Sequence, residues 1–216
     1  MIEQLNKRIL EISIKHKLSH LGSCFTALPI IYDIYKNHFK EGDRFVLSSG
    51  HAGLALYVVL EHFYKHVDAE NLLIKHGIHP ERDLENELFV STGSLGLGIT
   101  IATGIAYAMK GTNRKCFVLI SDGECAEGSV WESLAFINEH KIDNIEVHCN
   151  INGVSAYKEV DPIWLSHRLH AFLPRIKRHY TNVNDVIQFE TELKAHYEMA
   201  NDKMILKQNK FKNEIN

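Results

Sequence analysis

The stretch Lys115-Cys-Phe-Val-Leu-Ile-Ser-Asp-Gly-Glu-Cys-Ala-Glu-Gly-Ser-Val-Trp-Glu132 decides the fold. Lys115 to Ile120 is a short apolar run of the kind that reads as a strand buried on both faces. It stops at Ser121-Asp122-Gly123, and a helical pattern follows from about Gly128 to His140. A buried strand, a small-residue turn and a helix together make the repeating unit of a parallel sheet, because parallel neighbours need a crossover between them. The unit recurs on either side. Arg44-Phe-Val-Leu-Ser-Ser-Gly50 precedes a helical pattern from His51 to His66, with Leu54, Val58 and Phe63 inward. Asn144-Ile-Glu-Val-His-Cys-Asn150 precedes a short helix around Pro162 to Phe172.

Further out, Ile2, Leu5, Ile9 and Ile12 give a first helix that ends before Ser19. A second helix is expected from about Thr26, with Pro29 tolerated in its first turn. The loop Ser91-Thr-Gly-Ser-Leu-Gly-Leu-Gly98 leads into a helix ending near Met109. A long helix from Asn184 to Ala200 and a last strand at Met204–Lys207 complete the set. The expected fold class is α/β, a doubly wound, mostly parallel sheet with helices on both faces, in a single domain over 1–216. Ligands of such sheets gather at the carboxyl ends of the strands. Ser48–His51, Ser121–Gly123 and Asn150–Val154 should therefore meet on one rim.

Composition narrows the classes. The 216 residues carry 24 basic and 27 acidic side chains, a net charge of −3, with 45% hydrophobic and 24% charged residues. That balance is ordinary for globular domains and unlike a disordered tail or a basic nucleic-acid-binding face. The cysteines Cys24, Cys116, Cys125 and Cys149 form no Cys-x-x-Cys pair, so neither a zinc knuckle nor a redox motif is expected. The amino terminus is charged and amphipathic, without a secretory core. The longest uncharged run, Ser91 to Met109, is too rich in Gly, Thr and Ser for a membrane span. A cytoplasmic protein is expected, with no nucleic-acid or membrane partner. The 14 histidines matter by placement.

Two nucleotide motifs fail. A dinucleotide fingerprint on Gly96 and Gly98 needs a third glycine where Ile101 stands, and no Gly-Lys-Ser/Thr occurs. What remains is Asp122-Gly123-Glu124, followed thirty positions after Asp122 by Asn152 within Asn150-Ile-Asn-Gly-Val154. One carboxylate, one amide oxygen and a backbone carbonyl make half of the octahedral oxygen shell that Mg²⁺ prefers, and diphosphate oxygens with water complete it. Taken without their neighbours, the same residues also read as two unrelated strand-end turns.

The neighbours carry a resemblance. Asp122-Gly…Asn152 resembles the thiamine-diphosphate-binding motif, with Ser121 in place of its first glycine. Ser19-His-Leu-Gly-Ser23, Phe45-Val-Leu-Ser-Ser-Gly-His-Ala52, His79-Pro-Glu81, Thr92-Gly-Ser-Leu-Gly-Leu-Gly98 and Asp122–Glu132 resemble, in order, segments of the amino-terminal half of transketolase. The similarity covers about residues 3 to 207 and is closest to the split, two-component kind.

The resemblance implies the thiamine-diphosphate-binding fold and transfer of a two-carbon ketol unit between sugars or sugar phosphates. Asp122, Asn152 and the carbonyl of Val154 would hold Mg²⁺, or another divalent cation such as Ca²⁺ or Mn²⁺. Gly93, Ser94 and Leu95 would lie against the cofactor, with Gly123 and Glu124 beside its diphosphate. His20, His51 and His79 would line the cleft mouth and handle protons, His51 also touching the cofactor, and Glu127 would act as a relay at the subunit contact. His62, His66, His140, His170 and His196 fall on predicted helices without a motif and read as surface.

Two features depart from the family. Its further cleft histidine, carried on a glycine-rich segment after the last strand, has no counterpart here, and His148-Cys-Asn150 replaces an Asp-rich approach to the Asn-Gly turn. A second chain carrying the pyrimidine-binding and C-terminal domains is implied, in an α2β2 assembly. Two alternatives stay open: a deoxyxylulose-phosphate-synthase-like or specialised carbohydrate-building thiamine enzyme, and a degenerate scaffold subunit.

Overall fold

Strands β1 (Arg44–Leu47), β2 (Cys116–Ser121), β3 (Ile145–Ile151) and β4 (Lys177–Tyr180) form one sheet in the order β1-β2-β3-β4, every pair parallel. The computed structural model describes residues 1–155, 158–189, 194–201 and 203–204. The register sets Leu47 beside Leu119, Leu119 beside His148, and Ser121 beside Asn150. Every residue of β2 is buried, as expected of a strand covered on both faces.

Alternate residues feed two cores. Phe45, Leu47, Phe117 and Leu119 pack with α1 (Ile2–His16), α2 (Leu21–Asp33), α3 (Gly53–Phe63) and α4 (Ala69–His76). Val46, Val118, Ile120, Val147 and Cys149 pack with α5 (Leu97–Ala108), α6 (Gly128–Glu139) and α7 (Pro162–Phe172). Both faces of the sheet are thus helix-covered. Among the described residues no helix is long and apolar enough to cross a membrane.

Four elements differ from the sequence expectation. Helix α2 begins at Leu21, five residues before Thr26, so Pro29 lies inside it. Thr26 is no cap: its hydroxyl bonds back to the Gly22 carbonyl at 2.9 Å. Burial of every residue from Leu21 to Leu28 outweighs the local start signal. The stretch after His66, for which the sequence pattern gives no element, contains α4, whose first turn is capped by the Asp68 carboxylate accepting from Asn71 N at 2.7 Å.

The long helix expected over Asn184–Ala200 is absent at its start, where residues 183–186 form turns. There Asn182 and Asn184 accept bonds from the backbone amides of Asn184 and Phe189, an alternative that short amide side chains offer the chain. Among the described residues of that stretch, helix appears at α8 (Lys194–Tyr197). Lys203 and Met204 are helical rather than extended, and the rest of the expected last strand lies outside the described residues. The fourth strand is instead β4, whose Lys-Arg-His-Tyr sequence alternates half-buried and exposed residues with no apolar signal.

Candidate active site

The carboxyl ends of β1, β2 and β3 meet as the sequence spacing predicts. They line one cleft with the entry to α2: Ser49, His51, Ser121, Asp122, Asn150 and Asn152 share it with His20. It encloses about 70 Å³.

Asp122 sits at its floor, 2% exposed. One carboxylate oxygen accepts from Gly123 N at 3.0 Å, and the other from Asn152 N at 2.9 Å and Gly153 N at 2.7 Å. The pair separated by thirty positions in sequence is therefore in direct contact. Burial pushes the Asp122 carboxyl up to about 6, although the three amides pull the other way. The Asn152 side-chain oxygen accepts from Val154 N at 2.9 Å, folding the loop so that Val154 also lines the cleft. The positive φ of Gly153, +83°, makes that turn.

Among the described residues no group of three or more His, Cys, Asp or Glu could hold a metal ion. A cation here would rest on one carboxylate plus neutral oxygens, so the donor set fits a hard divalent ion that takes its remaining ligands from a bound diphosphate and water. Ser121 lines the same floor, and its buried hydroxyl has no hydrogen-bond partner among the described residues.

Glu124 is placed behind the cleft rather than in it. Fully buried, its carboxylate accepts from Ser48 Oγ at 2.7 Å, Gly96 N at 3.0 Å and Ser121 N at 3.1 Å. It ties the ends of β1 and β2 to the glycine loop, and burial pushes it up to about 7 against those three bonds. The loop is pressed in by missing side chains. A Cβ on Gly50 would stand 2.7 Å from Gly93 N, and one on Gly98 2.5 Å from Ser48 Cα. This contact carries Leu95 to the cleft lining, while Gly93 is half-exposed and Ser94 exposed on the same loop.

His20 and His51 face each other with ring centroids 5.6 Å apart. His20 stands before α2 with a left-handed φ of 63°, its Nδ1 bonded to Ser19 Oγ at 2.9 Å. His79 is exposed and packs against Gly93 from outside; it is not among the residues lining the cleft. Glu127 is exposed as well, beside Gly96 at the start of α6.

Sequence reasoning did not single out Ser23, Ser49, Ser155 and Tyr197, all of which line the cleft. The serines lay next to or within quoted motifs. Tyr197 had no such signal. It arrives through α8, whose Ala195 packs on Gly22, and its ring meets His20 edge-on at 6.3 Å.

Comparison with known proteins identifies the family and the fold. The sequence model of the family described as "Transketolase, thiamine diphosphate binding domain" matches residues 16–196. Human transketolase is 37% identical over a match covering 72% of this chain and 27% of that protein. An apulose-4-phosphate transketolase subunit of Phocaeicola vulgatus is 35% identical, covering 66% of this chain and 56% of that protein. The chain thus spans about a quarter of the full-length relative and just over half of the bacterial one. In fold it is similar to the solved transketolase from Leishmania mexicana, with a TM-score of 0.66 and 22% identity, over 80% of this chain and 31% of that one.

Proposed function

Because the chain belongs to the transketolase family through its thiamine-diphosphate-binding domain, we propose that it is the diphosphate- and Mg²⁺-binding subunit of a two-component enzyme transferring a two-carbon ketol unit between sugars or sugar phosphates. One observation carries the reading: Asp122 and Asn152 meet at the floor of a cleft that His20 and His51 also line.

Asp122, Asn152 and the Val154 carbonyl would hold the cation, and Gly93, Ser94, Leu95 and Gly123 would shape the wall against which the cofactor lies. When bound, thiamine diphosphate would supply a thiazolium ring whose acidic carbon serves as nucleophile and whose cationic ring serves as electron sink for carbon–carbon cleavage and transfer. His20 and His51 would accept and return hydroxyl protons of the sugar at the mouth, a task for which imidazole is suited near pH 7. His79 braces Gly93 and Glu127 flanks Gly96, so in this reading both act from outside the cleft as built by this chain.

Two observations support a partner chain. The enclosed volume of about 70 Å³ is well below the roughly 300–1,000 Å³ of a site that engulfs a ligand this large. Beside the cleft, α5 and α6 leave Leu97, Ile101 and Phe136 exposed by 51%, 43% and 39%. A chain carrying the pyrimidine-binding domain would cover that face and close the cofactor between the two chains, in an α2β2 assembly in the cytoplasm. The Phocaeicola vulgatus relative, whose name makes it one component of its enzyme, points the same way.

The test is calorimetric titration of the full chain with thiamine diphosphate, with and without Mg²⁺, followed by ketol-transfer assays with and without the partner chain. Mg²⁺-dependent binding and turnover only on mixing are expected. Binding indifferent to divalent cations would overturn the site, and robust turnover by the chain alone would overturn the two-component reading.

A further inference from the structure

Tyr197 reaches the mouth of the cleft between two buried anchors. Ala195, on α8, is buried against α2, where a Cβ on Gly22 would stand 2.6 Å from its Cβ. Ala200 is buried as well, and its N donates to the Leu18 carbonyl at 2.8 Å, just ahead of His20. Tyr197 itself stays 55% exposed while lining the cleft. Docking of α8 thus falls to the two alanines, and the tyrosine ring is left at the mouth.

Exposure orders the lining from floor to mouth. Asp122 is buried at the floor, His20 and His51 are half-buried, and Tyr197 is outermost. The three rings follow one another: His51 to His20 at 5.6 Å, then His20 to Tyr197, edge-on, at 6.3 Å. Among the described residues no Lys or Arg lines this cleft. Around the mouth it presents imidazoles, a phenol and the hydroxyls of Ser23, Ser49 and Ser155, which hydrogen-bond without a fixed charge. Such a wall suits an uncharged chain of hydroxyls better than a phosphate.

We propose that Tyr197 is a specificity-determining residue for the sugar, its hydroxyl bonding a hydroxyl on the part of the ketose chain farthest from the floor. The proposal rests on the ketol-transfer reading of this cleft. A phenolic oxygen both donates and accepts, as a sugar hydroxyl does, so the pair can bond in either sense. Its ring gives an apolar surface to the carbon chain beside that hydroxyl. Because Tyr197 is outermost, a long ketose reaches it and a short one does not.

The experiment uses the full chain with its partner chain, thiamine diphosphate and Mg²⁺. Donors are erythrulose, xylulose and fructose, of four, five and six carbons, each free and as its terminal phosphate. In Tyr197→Phe the KM of free xylulose and fructose should rise roughly two- to tenfold, the effect of one hydrogen bond. The KM of free erythrulose and every kcat should stay near wild type, and Tyr197→Ala should widen the same split. Xylitol, which has the hydroxyls but no carbonyl, gives a readout without turnover. Its saturation-transfer NMR signal on the full chain with thiamine diphosphate and Mg²⁺ should weaken in both variants. Thiamine diphosphate affinity and partner affinity should not move. An equal rise of KM at all three chain lengths would make the role structural, and a weakened partner complex would make it an interface contact. Either result overturns the proposal, as does a xylitol signal that is absent or the same in wild type and variants. Absence of ketol transfer by the wild-type pair with every donor would instead overturn the reading on which it rests.

Discussion

Asp122 is the residue on which the site turns. Its oxygens already take three backbone amides, so the carboxylate is fixed in place before any cation arrives. Asp122→Ala removes the anionic protein ligand of the proposed shell and frees the Asn152–Gly153 turn at once. Thiamine diphosphate affinity in Mg²⁺ should fall by more than tenfold, about 1.4 kcal/mol or more, and lose its dependence on Mg²⁺. Calorimetry reads both, and unchanged affinity would remove Asp122 from the metal site. In the proposed function, His20 and His51 serve a different step. With the partner present, alanine at either should lower kcat/KM by about 10²–10⁴-fold while cofactor affinity changes far less. Wild-type turnover in both variants would return them to packing.

At the scale of elements, the site depends on how closely α5 approaches the end of β1. Ser48 Oγ donates to Glu124 and accepts from Ile99 N at 3.0 Å, so strand end, buried carboxylate and helix start are one unit. Gly98→Ala would drive a methyl to 2.5 Å from Ser48 Cα, where backbone must move. Overpacking of this kind costs about 1–3 kcal/mol, and Tm should fall by several degrees. On the same helix, Gly104 is exposed with nothing within 4 Å of an added Cβ. Gly104→Ala should raise stability by about 0.5–1 kcal/mol. Thermal denaturation of the two variants side by side checks the argument, and matching shifts would refute it. Gly96 and Gly98 were visible in the sequence as a loop, but their partners, Glu124 and Ser48, were not: even the nearer, Glu124, lies 28 residues from Gly96.

Across the molecule, stability should depend on pH through a pair outside the cleft, buried His148 and half-buried His179. His148 on β3 and His179 on β4 stack with planes 5° apart, and His148 Nδ1 lies 2.9 Å from His179 Nε2. Burial holds the His148 imidazole down to about 3, with His179 and Lys177 adding to it and Glu146 opposing. The folded pKa lies below the free value of about 6.5, so between those limits the unfolded chain binds more protons. Stability is therefore full above about pH 6.5 and falls as pH drops toward 3. Asp83, drawn down to about 2 against its burial by Lys75, Asn86 and His76, adds a further loss below about pH 4. His148→Phe should flatten the dependence between pH 5 and 7, by about 2–4 °C of Tm for each kcal/mol removed. An unchanged slope would assign the acid sensitivity elsewhere.

Much of this architecture is written in the chain. Near-continuous apolar runs at Arg44–Leu47 and Cys116–Ser121 read as strands covered on both faces, and with the alternating Ile145–Ile151, each followed by a helical pattern, they indicate a parallel sheet. Small and polar residues at the strand ends determine the rim, and the Asp122–Asn152 spacing determines which loops meet there. Tertiary structure alone decided the rest. Strand β4 has no apolar pattern because it is held by backbone pairing at the sheet edge, and α2 starts early because its whole first half is buried. Glu124 leaves the cleft for three donors brought from separate elements, and Tyr197 enters it because α8 docks on α2. Local spacing fixes what the backbone does nearby, whereas a side chain's final neighbours depend on contacts that no short stretch of sequence contains.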